Sequence, residues 1–281
     1  MKKETILYLR TDLNPCIKAG GSVSHTLGII NAFVNTDFEV LCFSSAMINH
    51  LKKHKNIEFF QLRTLPIFWF IRWRFWILRE RLNMLTSNFF FLFQVLLRIK
   101  NKKIKFIYQR YSLLNFVGVL IKNKKKVPLI LEYNGSEAKV ARLWGDDTYD
   151  FPFVNKIENY NLKNADVISV VSNVLRDELI QKGIRKKKII VCPNGVDHKI
   201  FDPEQLKIYR IKIRNDLKIS SNVVFGFIGT FSYWHGVGII KEIIFKLLPK
   251  YKDKIHFLLI GCGPLKADFE KEINKQNFKA N

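Results

Sequence analysis

The length and composition of the chain indicate a folded α/β protein with more than one domain. Its 281 residues are too many for one ordinary α/β domain and too few for two complete ones. Hydrophobic residues make up 48% of the chain and aromatic residues 14%, which excludes a largely disordered protein. Four widely separated cysteines without C-x-x-C or Cys/His spacing indicate neither a disulfide framework nor a structural metal site. A reducing cytoplasm is the expected compartment.

The net charge of +23 is concentrated in the first half of the chain. Residues 1–131 contain 22 Lys and Arg against 6 Asp and Glu, giving +16, and residues 132–281 contain 25 against 18, giving +7. No acidic residue lies between Glu80 and Glu132. This pattern favours an anionic partner, which could be nucleic acid, a phospholipid surface or a polyanionic substrate. Because the sequence contains no recognition module for nucleic acid, we predict that none is bound.

Short apolar runs, rich in β-branched and aromatic residues, alternate with longer stretches of helical periodicity. This alternation is typical of βαβ units and predicts a parallel sheet. A helix over 22–35 follows a Gly-Gly turn, and a helix over 173–182 ends before Gly183, the usual residue just past a helix end. The predicted strands of the first domain are 5–9, 39–43, 57–62, 106–111, 129–133, 166–171 and 189–192.

A turn-rich stretch at 192–197, Cys-Pro-Asn-Gly-Val-Asp, predicts a linker between two domains. The run 202–204, Asp-Pro-Glu, then opens a helix. We therefore predict domains at 1–197 and 198–281. The second has predicted strands at 223–228 and 255–260, a helix at 237–248 and a charged helix running to residue 281. Two strands do not make a complete sheet with both faces covered, so this domain is expected to be partial.

The segment 65–105 differs from the rest because tryptophan and phenylalanine alternate with arginine in its first part. Its longest charge-free stretch, 82–97, has 16 residues and includes several polar ones, so a transmembrane helix is not expected. The pattern favours a helix lying in the headgroup layer of an anionic membrane. The alternative is an ordinary core helix whose arginines extend into solvent. Since the N-terminus lacks the pattern of a signal peptide, we expect a cytoplasmic protein, peripheral at the inner face of the plasma membrane.

Several motifs along the chain agree in order and spacing with one protein family. They are Ala19-Gly20-Gly21, the stretch 171–183, Cys192-Pro193-Asn194-Gly195-Val196-Asp197, Phe227-Ile228-Gly229-Thr230-Phe231, Trp234-His235-Gly236-Val237 and Leu259-Ile260-Gly261-Cys262-Gly263-Pro264. Together they resemble the retaining glycosyltransferases of GT-B fold, group 1 or family 4, which build bacterial surface polysaccharides and glycolipids. The resemblance implies an α/β fold with two Rossmann-like domains. It also implies an acceptor on the first domain, a nucleotide-diphosphate sugar mainly on the second, and no required metal or other cofactor.

The resemblance also implies a set of residues that bind the donor. Glycines at a helix start let backbone N–H groups approach a phosphate, although a Gly-Gly turn is also a common tight connection. Thr230 and His235 stand where the family commonly has Arg and Lys, and both can donate hydrogen bonds. The alternative for His235 is a capping or surface histidine. The implied donor-binding residues are Gly20, Gly21, Asn194, Thr230, His235, Gly261 and Gly263.

On the acceptor side, the run 132–137, Glu-Tyr-Asn-Gly-Ser-Glu, replaces a His-Gly-Ser-Asp-like run of the family. Asn134 stands in place of the histidine and cannot take a proton. Glu137 is therefore the implied catalytic residue, because a buried carboxylate can serve as a general base. His25 and Asn134 are the implied acceptor-binding residues. The alternative is a helix-capping arrangement made by Asn134, Ser136 and Glu137.

The last motif of the family, a pair of glutamates at the donor ribose and sugar, is expected well beyond Gly263 and has no counterpart before Asn281. The expected function is transfer of a hexose from a nucleotide-diphosphate sugar to a lipid-linked or polysaccharide acceptor in bacterial surface glycan synthesis. The chain by itself is expected to be incomplete or inactive. The alternative is a non-catalytic, glycosyltransferase-like protein that binds or regulates an intact transferase.

Overall fold

The described residues form two compact units that divide between Gly195 and Val196. The computed structural model describes residues 4–12, 21–36, 38–45, 56–64, 70, 75–139, 153–198 and 200–276. We refer to the part up to Gly195 as unit 1 and the part from Val196 as unit 2. The division falls within the turn-rich stretch 192–197. The assignment of the acceptor to the first domain and the donor to the second stays a prediction.

Unit 1 is built on a seven-stranded parallel sheet with the order β3-β2-β1-β4-β5-β6-β7. All seven strands predicted from the sequence are confirmed, with bounds shifted by at most two residues. The strands are β1 Thr5–Arg10, β2 Glu39–Ser44, β3 Ile57–Gln61, β4 Ile104–Arg110, β5 Leu129–Tyr133, β6 Val167–Val170 and β7 Ile189–Val191. The helices are α1 Gly21–Asn35, α2 Trp76–Arg98, α3 Val117–Lys125, α4 Val154–Asn164 and α5 Asn173–Gln181.

Both faces of this sheet are buried, which explains why β1 is apolar without alternation. Successive side chains of a strand point to opposite faces. Leu7 and Leu9 pack in one cluster with residues of α2 and α3, such as Phe91 and Val119. On the other face, Ile6 and Tyr8 pack against α1. Helices on both faces are the usual arrangement for a parallel sheet and confirm the prediction from the βαβ pattern.

Helix ends predicted from the sequence are also confirmed. The Ser172 hydroxyl accepts a hydrogen bond from the backbone N–H of Leu175 at the start of α5. That helix ends just before Gly183, which has a φ of +83°. In unit 2, the carboxylate of Asp202 accepts from the N–H of Glu204 and begins helix α6. Side-chain oxygens thus satisfy backbone groups that each first turn leaves unpaired.

Unit 2 contains a parallel pair of strands and three helices. The strands β8 and β9 are Val223–Ile228 and Ile255–Ile260, and both are confirmed as predicted. The core lies on one face of this pair, where Phe257 and Leu259 pack against residues of the last two helices. Residues 277–281, to which the last helix was predicted to extend, lie outside the described residues. The helices are α6 Pro203–Asp216, α7 Val237–Tyr251 and α8 Lys266–Lys275.

Helix α2 has one core face and one exposed aromatic face, and its place in a headgroup layer stays a prediction. One face is a core face, because Phe91, Val95 and Ile99 are fully buried. The opposite face leaves Phe89 and Phe93 exposed. The part in which tryptophan alternates with arginine, 65–74, lies outside the described residues except for Phe70. Throughout the described ranges, every helix is too short or too polar to cross a membrane.

Three of the four cysteines are described, and all three are free thiols. Cys42 is buried in β2, and burial raises the pKa of its thiol to about 12. Cys192 follows β7 in unit 1, Cys262 follows β9 in unit 2, and both are exposed. Cys16 lies outside the described residues.

Gly118 in α3 is expected to tolerate no side chain. A Cβ at this position would lie 1.8 Å from Oε1 of Gln109, which is fully buried and donates to Oδ1 of Asn115 at 2.8 Å. We expect Gly118→Ala to lower the free energy of unfolding by about 1–3 kcal/mol, the usual cost of overpacking a core. Gly28→Ala in α1 is the matched control, because a Cβ there meets nothing within 4 Å. It should be neutral or stabilising in urea unfolding, and equal losses in both variants would contradict the packing argument.

Candidate functional site

Polar side chains collect at one edge of the unit 1 sheet, where strands β1, β4 and β5 end. The carboxyl ends of parallel strands meet at the same edge, which is where open α/β sheets bind ligands. Helix α1, which follows β1, brings two further polar residues to this edge. We refer to these residues as the polar edge: Arg10, Asp12, His25, Thr26, Arg110, Glu132, Asn134 and Glu137.

Glu132 is the centre of the polar edge and is almost completely buried. Its Oε1 lies 2.5 Å from Nη1 of Arg110 and 3.0 Å from Nε2 of His25. The amide of Asn134 donates to the same oxygen at 2.6 Å. Burial acts to raise the pKa of Glu132, but His25 and the Arg110 charge outweigh it, so the net pKa is lowered. The carboxylate is therefore ionised at neutral pH and holds three neighbours in place.

The structure brings both predicted acceptor-binding residues, His25 and Asn134, to this one carboxylate. Their role in binding an acceptor stays a prediction. Glu132 and Arg110 were not singled out from the sequence. The available signal was a charged residue at or next to the carboxyl end of two neighbouring strands, Arg110 in β4 and Glu132 in the otherwise apolar β5.

A second arginine of the polar edge is also paired. Arg10 is buried at the end of β1, and its Nε and Nη2 donate to the two carboxylate oxygens of Asp12 at 3.1 Å and 3.0 Å. Its Nη1 donates to the hydroxyl of Thr26 in α1 at 2.8 Å. This bidentate geometry fixes the guanidinium group. Positive and negative charges are thus balanced in pairs along the polar edge.

Glu137, the predicted catalytic residue, has the raised pKa that a general base needs near neutral pH. Burial raises the pKa of its carboxyl to about 7, the charges of Asp12 and Glu158 add to the rise, and Arg110 opposes it. A carboxyl with such a pKa is suited to accept a proton near neutral pH. Its catalytic role stays a prediction.

The helix-capping arrangement predicted as the alternative for Asn134, Ser136 and Glu137 is present only in part. The Ser136 hydroxyl accepts from the backbone N–H of Lys139 at 3.4 Å, in a helical turn over 137–139. Asn134 instead donates to Glu132. Of the three residues in the capping alternative, Ser136 therefore makes the capping contact, and the amide of Asn134 is engaged with the polar edge.

In unit 2, His235 lies in a short helical turn just before α7. Its Nδ1 lies 2.6 Å from the carbonyl oxygen of Thr230 and 3.1 Å from the hydroxyl of Ser232. Because a carbonyl oxygen only accepts, this contact places the proton of a neutral imidazole on Nδ1. Donation from Nε2 to a phosphate then requires the protonated ring. The side chain is exposed at the surface of unit 2.

Two glycines predicted to bind the donor have a structural reason of their own. Gly261 and Gly263 follow β9 with φ values of +158° and +157°. A Cβ at Gly261 would lie 1.8 Å from the carbonyl oxygen of Gly229, and one at Gly263 would lie 2.4 Å from that of Phe231. Close backbone packing within unit 2 therefore requires both glycines. A role in donor binding stays a prediction.

The remaining predicted donor residues precede unit 2 in the sequence. Gly20 lies outside the described residues, and Gly21 is the first residue of α1. Asn194 is exposed in the stretch after β7. In the described ranges, no group of three His, Cys, Asp and Glu side chains is placed to hold a metal ion. Independence from metals stays a prediction.

Comparison with known proteins connects the chain to sugar-transferring enzymes. A protein named an uncharacterized glycosyltransferase, from Methanocaldococcus jannaschii, is 29% identical over 182 residues, which are 64% of this chain and 43% of that protein. A solved glycosyltransferase from Rickettsia africae is 17% identical with a TM-score of 0.65, over 98% of this chain and 65% of that one. Anabaena HepE, solved with UDP-glucose, is 18% identical with a TM-score of 0.60, over 97% of this chain and 65% of that one.

These likenesses confirm the predicted α/β fold of GT-B type. The chain spans less than half of the curated relative and about two thirds of the solved structures. The model of Glycosyltransferase Family 4 matches residues 19–200, which include all of the polar edge except Arg10 and Asp12. This match extends over more than half of the chain, and the chain therefore belongs to Glycosyltransferase Family 4.

Proposed function

We propose that the whole protein transfers a hexose from a nucleotide-diphosphate sugar to a lipid-linked or polysaccharide acceptor in bacterial surface glycan synthesis. The observation that supports this most is the polar edge within the family match, with a carboxyl whose pKa is raised to about 7. In this role Glu137 accepts the proton of the attacking hydroxyl. The reaction joins that hydroxyl oxygen to the anomeric carbon and releases the nucleoside diphosphate.

The charge balance of the polar edge supports a hydroxyl-bearing acceptor. Arg10 and Arg110 each face a carboxylate, so neither offers an uncompensated charge to an anion. Carboxylates, amides and an imidazole together provide the donors and acceptors that sugar hydroxyl groups need. His25 and Asn134 bind the acceptor in this proposal, and Glu132 holds them in position.

For the donor, we propose a nucleotide-diphosphate sugar bound without a metal, with the phosphates near the start of α7. Backbone N–H groups at a helix start favour anions, and His235 lies beside them. The same proposal includes Thr230 and the residues Gly20, Gly21, Asn194, Gly261 and Gly263 as donor contacts. HepE, a protein of the same fold, was solved with UDP-glucose, which supports this class of donor.

We also propose that the protein acts at the cytoplasmic face of a membrane, bound to anionic lipid. The basic character of unit 1 supports this proposal, and we assign the contact to lysines that have no carboxylate partner among the described residues. Lys102, which has no acidic neighbour in sequence, lies 3.0 Å from Glu39 and 2.9 Å from Glu58. Lys122 pairs with Asp166 at 2.7 Å. Lys124 and Lys126 have no carboxylate partner in the described part of the chain and fit a phospholipid surface better.

Donor binding is tested with His235→Ala. Calorimetric titration with UDP, GDP and ADP in turn should show binding of at least one, weakened about tenfold by the substitution, the usual loss for one hydrogen bond to a charged group. His198→Ala, another exposed histidine of unit 2, is the control and should bind as the wild type does. Equal affinity of both variants would remove His235 from the donor site.

Transfer itself is tested by measuring release of nucleoside diphosphate from nucleotide sugars with membrane extract as acceptor. The proposal expects release by the whole protein that depends on the extract. Donor binding without any release would instead favour the non-catalytic, glycosyltransferase-like partner.

A further inference from the structure

Four aromatic side chains form a continuous band on the outer surface of unit 1. Phe89 and Phe93 are one turn apart on α2, and their side chains are 60% and 58% exposed. The ring of Phe116, just before α3, lies 6.0 Å from that of Phe89. It also lies 6.3 Å from the ring of Tyr160 on α4, which is 39% exposed. We call Phe93, Phe89, Phe116 and Tyr160 the aromatic band.

Buried amides hold this band together. Asn88 on α2 is fully buried, donates to the carbonyl of Leu114 at 3.0 Å and accepts from the N–H of Phe116 at 2.7 Å. Asn161 on α4 is also fully buried and donates to the carbonyl of Asn115 at 2.8 Å. The loop that carries Phe116 is therefore fixed between α2 and α4. The rings are presented at the surface by a rigid support, and large exposed apolar patches of this kind mark binding surfaces.

Exposed lysines lie on or at the ends of two of the helices that hold the aromatic band. Lys156 and Lys163 lie on the exposed face of α4, and Lys124 and Lys126 lie at the end of α3. Among the described residues, α2 from Arg81 onward, α3 and α4 contain one acidic side chain, Glu158. This carboxylate is buried.

Glu158 also points away from the surface. It accepts hydrogen bonds from the hydroxyl of Tyr133 and the ammonium of Lys182, both at 3.0 Å. Near its start α2 also has a partly exposed carboxylate, Glu80, which lies 3.7 Å from Arg79. From Arg81 onward, the exposed face of these three helices combines aromatic rings with lysines and presents no carboxylate among the described residues.

We propose that the aromatic band and its lysines form the surface by which unit 1 binds an anionic phospholipid bilayer. Aromatic rings are favoured at the boundary between acyl chains and headgroups, and lysines beside them contact lipid phosphates. A second copy of the chain fits less well, because a two-fold interface would place the same lysines against each other. The inference rests on the membrane binding proposed above and names the surface responsible for it. Because this surface lies outside the polar edge, a failure of the inference would leave the proposed sugar transfer untouched.

The test is sedimentation with vesicles of phosphatidylcholine mixed with phosphatidylglycerol. The wild type should bind these vesicles and bind much less to phosphatidylcholine alone. Phe89→Gln with Phe93→Gln should weaken binding about tenfold or more, because two exposed rings no longer enter the boundary layer. Lys156→Gln with Lys163→Gln should weaken it about tenfold, a loss that raised salt should reproduce.

The matched control is Ile208→Gln with Tyr209→Gln on α6, since these side chains are 70% and 61% exposed but lie in unit 2. This variant should bind vesicles as the wild type does. Circular dichroism and thermal unfolding confirm that each variant is folded. Wild-type binding by the Phe89/Phe93 variant would overturn the proposal. A second outcome would also overturn it: the wild type binds no vesicles and sediments in an ultracentrifuge as a dimer, and the Phe89/Phe93 variant sediments as a monomer. The band would then join two copies of the chain.

Discussion

The wild type is expected to lose stability as the pH rises from about 5 to about 8, and the variant Glu137→Gln is expected to keep its stability over this range. The pKa of Glu137 is raised from 4.5 to about 7 in the fold. In this window the folded state keeps a proton that the unfolded state has released, so stability falls as the pH rises. The shift corresponds to a loss of about 3 kcal/mol that is complete once the pH exceeds the folded pKa. Glutamine cannot ionise, so the variant should be the more stable protein at pH 8.

Urea unfolding at several pH values measures this difference. Glu178→Gln is the control, because Glu178 forms an exposed pair with Lys139 at 3.3 Å. It should change the free energy of unfolding by less than about 0.5 kcal/mol at any pH, as exposed pairs usually do. A wild type and a Glu137→Gln variant with parallel pH profiles would show that the Glu137 carboxyl ionises in the fold as it does in the unfolded chain.

The same substitution separates the proposed chemical role from the structural one. If Glu137 accepts the proton of the acceptor, the rate of transfer by the whole protein should fall about 10²–10⁴-fold in Glu137→Gln, the usual contribution of a general base. In the wild type, transfer should rise with pH through about 7, where the carboxyl becomes ionised. A variant that is stabilised at pH 8 but still active would place the proton acceptor elsewhere.

The variant Glu132→Ala is expected to lower the free energy of unfolding by about 3 kcal/mol, because it leaves Arg110 without its carboxylate in a largely buried position. The pKa of Glu132 is lowered in the fold, so its contribution is present above the unfolded pKa and is lost as the pH falls through the folded pKa. The difference between variant and wild type should therefore shrink in acid, below about pH 4.

A double variant provides the control for this prediction. Glu132→Ala with Arg110→Met removes both charges and should recover part of the lost stability, because no unpaired guanidinium remains. Urea unfolding of the two single variants and the double variant gives the coupling energy of the pair. A Glu132→Ala variant within about 0.5 kcal/mol of the wild type would show that water replaces the carboxylate at no net cost.

The sequence was sufficient to predict the strands and several helix ends because each depends on local chemistry. The apolar run of β1 and the end of α5 before Gly183 are examples, since neither depends on distant residues. The absence of acidic residues between Glu80 and Glu132 is a poorer guide to the local charge, because a count along the chain includes only neighbours in sequence. Lys102 and Lys105 have no acidic neighbours in sequence, but the sheet places Glu39, Glu58 and Glu4 beside them. A count of charges along the chain does not include ion pairs between residues on or next to different strands.

The candidate site was predictable only in part. Glu137 was chosen from its place in a motif, but its raised pKa depends on burial and on charges from other parts of unit 1. Glu132 pairs with His25, which lies more than one hundred positions earlier in the sequence, and with Arg110, which lies about twenty positions earlier. Two of the predicted donor glycines, Gly261 and Gly263, turned out to be required by close backbone packing, which no sequence motif distinguishes from phosphate binding.

The cysteines offer a direct way to test whether a ligand changes the distance between the two units. Cys192 and Cys262 are exposed and lie one in each unit, whereas the buried Cys42 keeps its proton and is protected from thiol reagents at neutral pH. With Cys16 replaced by serine, a maleimide nitroxide would attach to these two native sites alone. Pulsed electron paramagnetic resonance would then record the distribution of distances between the labels, with and without a nucleotide sugar. Narrowing of that distribution on addition of the nucleotide sugar would reveal an induced closure without any engineered cysteine.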